Sequence, residues 1–62
     1  MTTKTPLTKE ALLVLENVAT ATKTWVHQKD RWDFAAKQIA EFAALDVTPG
    51  QCEQEAKSRG WA

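Results

Sequence analysis

The sequence is short of everything that staples a small fold. It has one cysteine, Cys52, and one histidine, His27, in 62 residues. A single thiol forms no internal disulfide, and one Cys with one His does not make a structural zinc set. Long apolar runs are missing too. The longest, Ala11-Leu12-Leu13-Val14-Leu15, is far below the ~20 residues of a membrane span and shorter than a secretory leader's core. Neither sign of charge dominates, with eight Lys plus Arg against eight Asp plus Glu. No concentrated positive field therefore marks nucleic acid or an anionic membrane as partner. Tyrosine is absent, glycine and proline number two each, and alanine reaches ten, a balance against strands and for helices. There is no clean alternation and no internal repeat. These absences leave one intracellular domain, nuclear in a eukaryote or cytoplasmic in a bacterium or phage, held by apolar packing alone. At this length folding buries only about 60% of the unfolded surface, which leaves little room for a deep site.

What is present reads as three helices. Met1 to Pro6 is polar and Thr-rich, a flexible arm ahead of one domain over 7–62. Thr8 is the expected N-cap of the first helix, with Glu10 in its first turn. At 100° per residue Ala11, Leu12, Leu15, Val18, Ala19, Thr22 and Val26 form one stripe, with Trp25 at its edge and Leu13 projecting away. The β-branched stretch Thr20 to Thr24 predicts fraying before His27. A polar knot, His27-Gln28-Lys29-Asp30, makes the turn, and Asp30 is the expected cap of the second helix, with Asp33 reinforcing it. There Trp32, Ala36, Ile39, Ala40 and Ala43 align, Ala35 and Phe42 flank them, and Phe34 lies opposite. The third helix has the best-marked start: a Thr48 cap, Pro49 at the first helical position and Gln51 completing a capping box. Cys52 and Ala56 point inward, Glu55 pairs with Arg59, and Gly60 stops the helix with Trp61 folding back. The fold expected is all-α, a compact three-helix bundle whose three tryptophans supply core bulk.

Catalysis finds no constellation here. Nucleophile and base would have to be Cys52 and His27, yet Cys52 sits on an inward stripe, where a thiol packs as a small hydrophobe, and His27 lies in a polar turn. No glycine-rich phosphate loop, HExxH or paired-carboxylate spacing occurs. No enzyme, cofactor, metal or small-molecule substrate is expected.

The informative stretch runs from Ile39 to Cys52. An apolar helix end, a turn near Leu45-Asp46, inward Val47 and the capped Thr48-Pro49-Gly50-Gln51 make a helix-turn-helix pattern. Its outer face carries Gln54, Lys57 and Ser58 beside Gln51; glutamine reads adenine, and Lys29, Arg31, Lys57 and the Lys4 arm are candidate phosphate contacts. Leu7-Thr8-Lys9-Glu10, Trp32 with Ala35-Ala36, and Thr48-Pro49-Gly50-Gln51-Cys52 together resemble the Myb/SANT family. A generic bacterial or phage helix-turn-helix fits the Val47 to Gly50 stretch equally. The Myb/SANT resemblance implies a tryptophan-built core and, in DNA-binding members, a third helix entering the major groove. This chain keeps only the second family tryptophan in register: Leu7 replaces the first and Ala56 the third.

Charge pulls the other way. From Asp46 to Ala62, Lys57 and Arg59 face Asp46, Glu53 and Glu55, two cations against three anions and a net of minus one. Non-specific DNA affinity comes almost entirely from neutralised phosphates. Two functions therefore stand: a helix-turn-helix or Myb/SANT-like DNA-binding module acting in transcription or chromatin regulation, or a protein-protein interaction module, regulator or adaptor, using Leu13 and Phe34. The partner is duplex DNA or another protein.

Overall fold

The computed structural model describes residues 7–62. The expected 1–6 arm, Lys4 included, lies outside the described residues. Three helices follow in order: α1 (Lys9–Ala21), α2 (Gln28–Phe42) and α3 (Pro49–Arg59). The chain is an all-α three-helix bundle, and no strand occurs among the described residues. α1 packs mainly on α2, α2 carries α3, and α1 touches α3 least.

Two of the three starts follow the sequence. Thr8 Oγ1 accepts from the Ala11 backbone N–H at 3.2 Å, and Thr48 Oγ1 from Gln51 N–H at 3.1 Å. Each cap satisfies one orphan donor of its helix, worth about 1 kcal/mol. Gly60 takes the left-handed conformation at φ 79°, and Trp61 N–H returns to the Ala56 carbonyl at 2.8 Å. That closes α3 as expected and lays Trp61 against the core. α2 ends differently. Ala44 is left-handed at φ 52°, a conformation that costs an L-residue about 1–2 kcal/mol and for which glycine would be the usual choice.

The α1–α2 connection corrects the expected boundaries. α2 starts at Gln28 with His27 as its N-cap residue, and Asp30 lies in the first turn instead of capping it. α1 stops at Ala21, and Trp25 N–H bonds the Thr22 carbonyl at 3.0 Å to make the turn. The Gln28 amide then donates to the Trp25 carbonyl at 2.7 Å, so the polar knot is helix and the β-branched stretch is the turn.

The core is small residues around a few large ones. Ala11, Ala19, Ala35 and Ala56 are fully buried and let the helices approach closely, while Leu15, Ile39 and Trp32 fill the space between them. Burying a side chain such as Leu15 or Ile39 contributes about 1.5–3 kcal/mol. The α2 stripe is rotated toward Ala35 from its expected centre: Ala40 is exposed and Phe42 is 66% exposed.

Candidate interaction surfaces

α3 does present a polar side to solvent. Gln54, Lys57 and Ser58 are exposed and Gln51 is half-buried, their spacing of three and four residues placing them on one face. The basic groups of that helix are already engaged. Lys57 Nζ lies 3.0 Å from Glu53, and Arg59 Nε 2.6 Å from Glu55. Exposed pairs of this kind contribute a few tenths of a kcal/mol, so a phosphate could displace them, but the helix field they leave is neutral.

Arg31 corrects the sequence reading outright. It was expected to meet phosphate, but only 3% of it is exposed. Its Nε donates to Thr22 Oγ1 at 3.2 Å, one terminal nitrogen to the Ala19 carbonyl at 2.8 Å, and the other to Gln28 Oε1 at 2.6 Å. The guanidinium also stacks on the Trp32 ring, 4.5 Å from its centroid. Thr22 passes the chain on, donating to the Val18 carbonyl at 2.7 Å. The reason lies in α1, whose last turn has no basic residue. The Val18 and Thr20 carbonyls accept locally from the Thr22 and Lys23 N–H groups, but the Ala19 carbonyl between them and the negative end of the dipole are served by Arg31 from α2.

The exposed apolar side chains are more numerous than the sequence suggested. Leu13 is 54% exposed and Phe34 38%, as expected of both, but Trp25 is 40% exposed and Val26 88%. Both had been placed on or beside the α1 stripe. Because α1 ends at Ala21, helical phase says nothing about residues beyond it. Of the tryptophans only Trp32 is a buried core residue, and Trp61 is half-buried against the core. Trp25 and Phe34 form a tilted pair, ring centroids 5.7 Å apart.

A groove of about 370 Å³ opens between the starts of α2 and α3, lined by Gln28, Lys29, Trp32 and Asp33 on one side and Pro49, Gly50 and Glu53 on the other. Of the residues singled out from sequence as contacts, only Lys29 belongs to it. Glu53 was expected at the margin of the outward face of α3 and Asp33 near the start of α2, but not that the two would line one groove, because helix phase alone does not show where two helix ends meet.

Cys52 is buried, and desolvation pushes its thiol up from near 9 to about 11, against a smaller lowering by a backbone hydrogen bond. We expect it to resist alkylation until the chain unfolds. The folded thiol pKa is the raised one, so this stabilising contribution is full below about pH 9 and is lost as pH rises toward about 11. A thiol reagent assayed with and without denaturant, and a melting series over that range, check both statements; rapid native labelling would refute them.

Among the described residues no group of three or more His, Cys, Asp or Glu side chains is placed to hold a metal, and no helix is long and apolar enough to cross a membrane. Comparison with family models, curated proteins and solved structures finds no match.

Proposed function

We propose that this chain is a small helical protein-interaction module. The observation that carries the reading is the solvent-facing Trp25–Phe34 pair, next in the chain to the exposed Val26. A domain this small needs its large apolar side chains inside, yet it leaves this tilted aromatic pair partly open to water. Apolar side chains grouped on a surface mark contact sites far better than ones scattered singly, and buried aromatics are the usual anchors of protein interfaces. The neutral α3 and the buried Arg31 weaken the competing case.

A second reading keeps one observation in its favour. The capped α3 lies at the surface with Gln54, Lys57 and Ser58 outward, the disposition of a helix-turn-helix or Myb/SANT-like DNA-binding module.

Phe34→Asp separates the two. In retention assays on the immobilised chain, the variant should lose a bound protein by about 30-fold, the scale of a hot-spot aromatic, with helical circular dichroism unchanged. Equal retention by variant and parent removes the aromatic surface. Retention of duplex DNA that falls steeply between about 50 and 200 mM salt, and ignores Phe34→Asp, establishes the DNA reading instead.

A further inference from the structure

We propose that two copies of this chain exchange α3, each third helix packing on the α1–α2 pair of the other copy, with residues 43–48 as the hinge. The proposal goes beyond the interaction reading and does not use Trp25 or Phe34.

The hinge is bent against its own sequence. Ala43-Ala44-Leu45 follow Phe42 directly, and alanine and leucine are the strongest helix formers. No glycine, proline or asparagine stands there to end α2. Yet α2 stops at Phe42, and Ala44 turns left-handed at φ 52°, where its Cβ crowds the following carbonyl oxygen. A continued α2 would return Ala44 to its preferred conformation and add helical hydrogen bonds at the same time.

The packing of α3 imposes the bend. Val47, Cys52 and Ala56 belong to one buried cluster with Trp32, Ala35 and Ile39 of α2 and Leu15 of α1. To reach that cluster from the same chain, the backbone must turn back between Phe42 and Pro49. Straightening the hinge in a lone copy would open the cluster to water and lose its burial energy. A second copy removes the conflict. Its α3 fills the vacated place with the same contacts, both cores stay closed, and the strain at both hinges is released.

The rest of the connection accommodates the change. Among the described residues it makes one hydrogen bond back to α2, from the Ala43 N–H to the Ile39 carbonyl. That bond has ordinary helical spacing and survives straightening. Extension stops short of α3, because Pro49 disfavours helical backbone at Thr48. Thr48 is extended at ψ 155° and caps α3 with its own hydroxyl, so α3 moves as a unit. Exposed Phe42 and half-buried Leu45 lie three residues apart and share a side of the continued helix. They give the two copies an apolar strip to meet on beside the hinge.

Association costs translational and rotational freedom, so the exchanged dimer gains on the monomer as concentration rises. Sedimentation of the full chain, refolded from denaturant at low and at high concentration, reads it; the concentrated sample should contain the dimer. Ala44→Gly accepts the left-handed bend and disfavours the continued helix. A left-handed alanine costs about fivefold or more at each hinge, so this variant should weaken the dimer by about 30-fold or more. Asp46→Ala acts in the opposite sense. Asp46 is exposed and holds no ion pair among the described residues, and a better helix former there should tighten the dimer by about tenfold over two hinges.

Mixing copies with different isotope labels separates exchange from side-by-side contact. Nuclear Overhauser contacts from the Val47 and Ala56 methyls of one copy to the α1–α2 core of the other establish exchange. A chain that stays monomeric at every concentration, with Asp46→Ala in place, overturns the proposal. So does a dimer whose Val47 and Ala56 contacts stay within one copy, or one indifferent to Ala44→Gly. A dimer that Phe34→Asp dissolves and Ala44→Gly spares belongs to the aromatic face and overturns it too.

Discussion

Arg31→Ala is expected to leave most of the chain unfolded at room temperature. The substitution removes three hydrogen bonds from one buried guanidinium and strands the Ala19 carbonyl at the end of α1. It also empties the space against Trp32 that the guanidinium now fills. Leaving a buried acceptor such as the Ala19 carbonyl unpaired costs about 1–3 kcal/mol, the lost packing against Trp32 adds to it, and a core of this size supplies only about 3–5 kcal/mol in all. Arg31→Met is the instructive companion. It keeps the packed stem and introduces no unpaired charge, so it should fall between alanine and the parent. Thermal melting followed by circular dichroism reads both. An alanine variant melting within a few degrees of the parent would mean that Arg31 is peripheral to stability.

Ile39→Ala should come close behind. Ile39 is fully buried, with Leu15 one of the two largest side chains that water does not reach at all. Truncation removes transfer energy and leaves a cavity that the surrounding core fills only in part, a loss of about 2–5 kcal/mol. Ile39→Val takes away one methylene and should cost about 0.5–1.5 kcal/mol. Phe42→Ala serves as the control, since a side chain 66% exposed should change stability by about 0.5 kcal/mol or less. If Phe42→Ala proved as damaging as Ile39→Ala, the orientation of α2 would be wrong.

The parts of the fold that could be read from the sequence were those written in local signals. Thr48, Pro49 and Gly60 mark α3 because a cap, a fixed φ and a left-handed stop act within a few residues of the chain. The inward Cys52 and Ala56 followed from helical period once that start was known. Trp25 and Val26 went wrong because the period was carried past Ala21, where the helix has already ended. Ala44 left no mark, since its left-handed φ is imposed by surrounding structure on a residue that prefers helix. Arg31 could not be read at all from its own neighbourhood. A charged residue beside Trp32 looks like surface until one knows that a single α1 carbonyl, at Ala19 twelve residues earlier in the chain, is met by no backbone N–H and is taken by the guanidinium. The outward side of α3 was legible from spacing, whereas the groove was not, because its two walls come from separate helix starts.

That bond to Ala19 also decides where this chain tolerates being cut. The 22–27 connection looks like a natural place to divide the protein into two fragments or to open it for circular permutation. Yet Arg31 and Gln28, on one side of any such break, hold the backbone of Ala19 and Trp25 on or near the other. A peptide ending at Ala21 would therefore lose ordered structure from its tail inward, and would recover it only on reassociating with the remainder. Among the described residues the 43–48 connection makes one hydrogen bond back to α2, from the Ala43 N–H to the Ile39 carbonyl, which makes it the better site for fission.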